Sequence, residues 1–340
     1  MTNSKPLVES KALTVGYKSR NKVSTVLAGL DLSILPGEFV CLLGPNGIGK
    51  STLLRTLSAI QPPIKGSIYI HRRNIRSLKS SQLACSLSVV LTDRLDVDGL
   101  TSYNIVELGR YPHTGWRGHL SPQDHAIVRW AISAVGADHL ASRNVNELSD
   151  GERQRILIGR ALAQDPQVML LDEPTAFLDI RSRVEITGLL RRLTRETSLA
   201  VIFSTHDLEL ALRTADTIWL LSPGGILTIG GPEDLMLDGS VSKAFWGETL
   251  SFNPHERSFH IHQDNTGTAS VKGEGLTYTL ARAAIERMGY RIVNYSEDPS
   301  TLRVEIREGD DVIWQAYHQE IRRQGKNLTQ LANFARSVAQ

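Results

Sequence analysis

Apolar and polar positions alternate in two registers along most of this chain. From about residue 7 to about residue 245, short apolar runs of strand length take turns with helix-like stretches. Phe39–Leu43, Val168–Leu171 and residues 199–203 are continuously apolar, as strands buried on both faces of a parallel sheet must be. This alternation predicts an α/β domain. Between about 100 and 165 the strand pattern disappears, and residues 102–109, 123–135 and 151–163 read as successive helices, a helical subdomain inserted into the sheet domain. Residues 263–275 are polar and glycine-rich, and read as a linker closing a first domain that spans 1–262. A different pattern follows. Residues 276–288 are helix-like, 301–307 alternate as a half-buried strand, 312–317 complete a hairpin, and Leu328, Leu331, Ala335 and Val338 line one face of a last helix. Residues 276–340 are therefore expected to form a small α+β accessory domain.

Composition narrows the class only slightly. The chain has 340 residues, 41% hydrophobic and 22% charged, enough for a large domain and a small one. Lysine and arginine number 38 against 36 acidic residues, a balance too even to advertise a nucleic-acid or membrane-surface binder. Two cysteines, Cys41 and Cys85, give no disulfide framework, and Cys41 lies inside an apolar strand. No apolar run approaches the roughly 20 residues needed to span a bilayer, and residues 1–6 lack a signal peptide's apolar stretch. Any membrane role is expected to come through a partner.

The chemistry begins at Gly44-Pro45-Asn46-Gly47-Ile48-Gly49-Lys50-Ser51-Thr52, which fits G-x-x-x-x-G-K-[ST] between a predicted strand and a predicted helix. Glycines let consecutive N–H groups turn toward one anion, and the helix N-terminus adds positive dipole. Lys50 would reach the terminal phosphates of a nucleotide and the Ser51 hydroxyl would ligate Mg²⁺. Val168–Leu171 then delivers Asp172 and Glu173 to a strand's carboxyl end, where Asp172 suits the Mg²⁺ shell and Glu173 suits activation of a water. Leu148-Ser149-Asp150-Gly151-Glu152 has two open readings: an S-x-x-E capping box, or an anion site at the same helix start.

These motifs, followed by Ser204-Thr205-His206-Asp207, resemble in kind and order those of ABC transporter ATPase subunits, over roughly residues 7 to 250. The resemblance implies a P-loop NTPase fold, ATP and Mg²⁺ as cofactors, and a head-to-tail homodimer. Each ATP would lie between the phosphate loop of one copy and Ser149, Gly151 and Glu152 of the other. His206, a turn histidine by itself, matches the switch histidine at the γ-phosphate; Asp179, otherwise a helix cap, matches the loop touching the facing subunit. Tyr17 stands where an aromatic ring stacks on adenine, which is favoured over an ordinary edge-strand tyrosine. Catalysis would rest on Glu173, His206 and Lys50. Two positions depart from the pattern: Thr92 replaces a glutamine that meets Mg²⁺, and Asp150 replaces a glycine.

Gly109-Arg110-Tyr111-Pro112-His113-Thr114-Gly115-Trp116 resembles a segment of the ATPases that serve bacterial importers of iron–siderophore complexes, haem and cobalamin. In that family it faces the permease, making Tyr111, Pro112 and Trp116 candidate contacts. The resemblance implies an integral-membrane permease, indirectly a periplasmic substrate-binding protein, and a place on the cytoplasmic face of the inner membrane. The alternative is a soluble ABC-type mechanoenzyme acting on DNA or ribosomes. One phosphate loop and no sustained heptads argue against that class. The accessory domain shows no metal-ligand cluster or nucleophile constellation.

Overall fold

The computed structural model describes residues 5–19, 22–91, 99–114, 118–245, 250–253, 258–261, 267–294, 298, 300–307 and 312–338. The chain divides into two compact units, Met1–Gly247 with Ser251–His260, and Glu248–Leu250 with Ile261–Gln340.

In the first unit a six-stranded sheet runs Ile226–Gly230, Thr217–Ser222, Phe39–Leu43, Ala200–Thr205, Val168–Leu171 and Leu87–Val90. All neighbours are parallel except the first pair. Phe39–Leu43, Val168–Leu171 and Ala200–Thr205 are buried at every position, as their unbroken apolar sequence requires. Phe39–Leu43 is followed in sequence by Leu87–Val90, on the far side of two intervening strands. The connection leaving Phe39–Leu43 therefore runs the opposite way across the sheet from those leaving its neighbours Thr217–Ser222 and Ala200–Thr205, and ligands of open α/β sheets bind beyond the carboxyl ends of strands at such a switch point. A second, antiparallel sheet, built on Val8–Ser19, Lys22–Leu30 and Lys65–Ile70, packs its apolar residues with Leu53, Leu54 and Leu57.

Helices Ser102–Glu107, Pro122–Ala134 and Asp150–Ala163 occupy the region where the strand pattern lapses. Thr101, Ser121 and Ser149 each close a capping box at the start of one of them. Arg110 ties this region together from inside. Only 5% exposed, it donates to Asp124 Oδ1 at 2.9 Å and to the Ala163 carbonyl at 2.8 Å.

The second unit is a five-stranded sheet ordered Tyr290–Ile292, Gly267–Lys272, Leu302–Ile306, Trp314–His318 and Ile321–Gly325. Helices Gly275–Glu286 and Leu328–Val338 share its core with Leu302, Val304, Trp314 and Ala316. Here the sequence expectation needs correcting. Part of the stretch read as a linker over 263–275 is the strand Gly267–Lys272, paired on both sides within this sheet. Its inward residue Ala269 is fully buried, but side chains this small leave no apolar run for a pattern to show. The hairpin of Leu302–Ile306 with Trp314–His318 forms, and the turn expected at 308–311 lies outside the described residues.

Candidate functional site

The site grows from the carboxyl ends of three adjacent strands. Beyond Phe39–Leu43 the backbone turns through Gly44 (φ +153°), Gly47 (φ +77°) and Gly49 (φ +115°), then enters helix Lys50–Leu57. Glycine is required at two of these for space as well as for φ. A Cβ on Gly44 would lie 2.7 Å from the Leu221 carbonyl oxygen, and one on Gly49 2.4 Å from Val26 Cγ1. The loop can therefore keep its amides turned toward one point.

Lys50 folds back into this loop. Its ammonium, in a residue 5% exposed, donates to the Gly44 carbonyl at 2.9 Å and the Pro45 carbonyl at 3.3 Å. It also stands 3.5 Å from Glu173 Oε1, whose other oxygen is 3.9 Å from His206 Nδ1. Lys50, Glu173 and His206 are thus brought into one line from three segments far apart in sequence. Asp172, 4% exposed, and Glu173 follow Val168–Leu171 directly.

The sequence assigned no role to Ser204, which organises this corner. Its hydroxyl donates to Asp172 Oδ1 at 2.8 Å and accepts the Glu173 N–H at 2.8 Å. Glu173 is held there at φ +46°, a left-handed conformation uncommon outside glycine. The signal was faint: a serine near the end of a strand, Ala200–Thr205, that is otherwise mostly apolar.

Tyr17 hydrogen-bonds through its hydroxyl to Thr52 Oγ1 at 2.9 Å and leaves a ring 54% exposed beside the loop. Ser51 and Thr52 occupy the first turn of the helix after the loop, with Thr52 buried. Of the two readings of Ser149, the capping box is the one seen. Ser149 caps helix Asp150–Ala163, its N–H and hydroxyl donating to Glu152 Oε2 at 2.9 and 2.8 Å. Those two bonds hold the Glu152 carboxyl below its ordinary value. Ser149, Gly151 and Glu152 line a hollow with Ser182 and Glu185. Asp179 caps helix Ile180–Thr197 by accepting the Ser182 N–H at 2.7 Å. Beside it Phe177 and Ile180 are 79% and 81% exposed.

Tyr111 is 56% exposed, and Pro112 lies half-buried in the 3₁₀ turn Leu108–His113, its carbonyl near the Cys85 thiol. Thr92 and Trp116 lie outside the described residues. Among the described residues, no helix is long and apolar enough to cross a membrane.

Residues 27–176 match the family model described as ABC transporter. An uncharacterized ABC transporter ATP-binding protein of Methanocaldococcus jannaschii is 43% identical over 70% of this chain and 81% of its own length. The achromobactin transport ATP-binding protein of Dickeya dadantii is 37% identical over 70% of this chain and 87% of its own. Among solved structures, the dimeric structure of a bacterial ABC transporter cassette superposes with a TM-score of 0.55 at 29% identity, covering 62% of this chain and 93% of that one. With its phosphate loop at the sheet's switch point and relatives matched over most of their length, this chain belongs to the ATP-binding, ATP-hydrolysing subunits of ABC transporters.

Proposed function

We propose that this chain is the ATPase subunit of a bacterial ABC importer for an iron–siderophore, haem or cobalamin complex, powering a separate permease by ATP-driven closure of a homodimer. One observation carries the catalytic part: Glu173 stands between Lys50 and His206, 3.5 and 3.9 Å from them, at the carboxyl end of the sheet. Three charged or titratable groups converge where a terminal phosphate resting on the glycine loop would lie.

Lys50 gives up its carbonyl and Glu173 contacts to the β- and γ-phosphates, whose oxygens are stronger acceptors. The loop amides and the N-terminus of Lys50–Leu57 hold the same oxygens, and the Tyr17 ring stacks on adenine. Glu173, released from Lys50, orients a water and draws off its proton as the water oxygen bonds to the γ-phosphorus and ADP leaves. His206 contacts the γ-phosphate and aligns Glu173. The Ser51 hydroxyl and the Asp172 carboxylate would offer Mg²⁺ the oxygen donors it prefers, and the bound ion would supply positive charge against the phosphates. Thr92, outside the described residues, is the third candidate for this shell.

The second copy supplies Ser149, Gly151 and Glu152 against the γ-phosphate, with Asp179 at the contact between subunits. The dimeric cassette relative supports a dimer. Ser149 must then turn its hydroxyl from Glu152 toward phosphate, exchanging one charged acceptor for another. Exposed Tyr111, with Pro112 and Trp116, faces the permease on the cytoplasmic side of the inner membrane, and a periplasmic binding protein delivers cargo. The name of another relative, a probable siderophore transport system ATP-binding protein of Bacillus subtilis 34% identical over 70% of this chain, supports the siderophore class.

Glu173→Gln tests the reading. With Mg-ATP the variant is expected to run as a dimer in light scattering and to release almost no phosphate. Undiminished phosphate release would overturn the assignment.

A further inference from the structure

The sheet of the second unit has one apolar face and one that is almost wholly polar. Ala269, Tyr290, Leu302, Val304, Trp314 and Ala316 belong to the core under the two helices. Successive strand residues point to opposite faces, so their neighbours share the other side. Register then sets Ser270 beside Arg303, Arg303 beside Tyr317, and Tyr317 beside Arg322, one row across four strands. The same face carries Lys272 and Arg291, and Glu305 is its one acidic residue among the described strand residues.

This row is rich in donors and poor in acceptors. Arg303 and Arg322 place their guanidinium carbons 5.8 and 5.6 Å from the Tyr317 ring centre. The ring orders both cations and holds them near each other. Among the described residues neither guanidinium has a carboxylate partner. Ser270, 2% exposed, has a hydroxyl with no hydrogen-bond partner, and Arg303 Nε is likewise buried and unpartnered. Two adjacent buried groups without acceptors are rare in a folded protein, because each forfeits a bond it would make in water. The Tyr317 hydroxyl is committed elsewhere, donating to Gln315 Oε1 at 3.0 Å.

We propose that this face binds a small multivalent oxyanion, a polycarboxylate or an oligophosphate, between Arg303 and Arg322. Guanidinium groups grip carboxylate and phosphate oxygens through paired N–H donors, and two of them flanking one ring ask for a ligand with more than one anionic group. Arg303 Nε gains an acceptor, and the Ser270 hydroxyl gains one where Arg303 turns to the ligand. Overall charge near neutrality disfavours a long polyanion as the occupant. The site is independent of the ATPase reading, since every residue it names belongs to the second unit.

The test is calorimetric titration of the full chain with citrate and, separately, pyrophosphate. At least one should bind, and the arm that binds tighter names the class. Arg303→Gln and Arg322→Gln should each weaken that binding about tenfold or more, while Lys50→Ala, which disables the nucleotide loop, should leave it in place. Binding that vanishes with Lys50 and survives both arginine substitutions, or no binding of either probe, overturns the proposal. The unmodified chain gives a second measurement, should the variants fold poorly. Citrate or pyrophosphate should slow phenylglyoxal modification of Arg303 and Arg322 in peptide mass spectra; equal rates with and without both anions would also overturn it.

Discussion

Replacing Ser204 with alanine separates the chemistry of Glu173 from the binding of nucleotide. The serine is fully buried and makes two bonds of 2.8 Å, one from the Glu173 amide and one to Asp172. Without the hydroxyl, the Glu173 N–H has no partner in a closed environment, a loss of about 1–3 kcal/mol. The left-handed backbone at Glu173 is itself disfavoured by about 1–2 kcal/mol for a residue with a Cβ. The two magnitudes are similar, so the tether and the strain it restrains are closely balanced. Cutting the tether lets Glu173 relax toward right-handed φ, which swings its carboxylate away from the point between Lys50 and His206. A displacement near 1 Å at a reacting group costs on the order of 100-fold in rate. Ser204→Ala is therefore expected to lower kcat for Mg-ATP hydrolysis about 100-fold, with KM changed by no more than about threefold. Neither hydrogen bond of the Ser204 hydroxyl goes to Lys50, the glycine loop or Tyr17.

Steady-state phosphate release across ATP concentrations reads both constants, and a thermal melt confirms that the protein is folded. Ser204→Thr is the control. It keeps the hydroxyl and adds one methyl to a full core, so it should melt lower and yet hydrolyse ATP faster than the alanine variant. A folded Ser204→Ala protein with wild-type kcat would refute the reasoning, as would a loss confined to KM.

The glycine loop makes a ranked prediction. Gly44→Ala drives a Cβ to 2.7 Å from the Leu221 backbone oxygen, whereas Gly47→Ala meets nothing within 4 Å and suffers only its φ of +77°. Nucleotide affinity and melting temperature should both fall further for Gly44→Ala, with Gly47→Ala costing about 1–2 kcal/mol; equal effects would contradict the close approach. At acid pH, Asp124 is the group to follow. The hydroxyl and N–H of Ser121, then Arg110, hold its carboxyl at about 2 against an ordinary 3.8. A lowered folded-state value means stabilisation that is complete above the ordinary value and fades as pH falls toward the lowered one. Urea melts between those limits should show about 1–2 kcal/mol of pH-dependent stability at this residue, absent in Asp124→Asn, and an unchanged acid limb in that variant would count against the pair.

Features set by neighbours in sequence were legible, and features set by pairing across the fold were not. Phe39–Leu43 and the glycines after it announce strand, turn and helix within fifteen or so consecutive residues, so periodicity and residue type suffice. The capping boxes at Thr101, Ser121 and Ser149 are local for the same reason. Ser204 is different. Its role exists only because Ala200–Thr205 lies beside Val168–Leu171 in parallel register, bringing it level with Asp172 and Glu173 some thirty residues earlier. Nothing in a serine near the end of a strand declares that neighbour.

The second unit shows the same limit from the other side. Leu302, Val304 and Ile306 alternate with Arg303 and Glu305, so the strand could be read and its buried face assigned. Gly267–Lys272 offered the pattern only Ala269 and Val271, and composition made it look like a linker. Yet its outward residue Ser270 is what turns the Arg303–Tyr317–Arg322 row from a solvated surface into a set of donors in need of an acceptor. A strand of small side chains gives an apolar pattern little to register, and this one carries the buried, unpaired hydroxyl. The position that sequence reading dismissed as a connection is therefore a sound place to look for what the second unit binds.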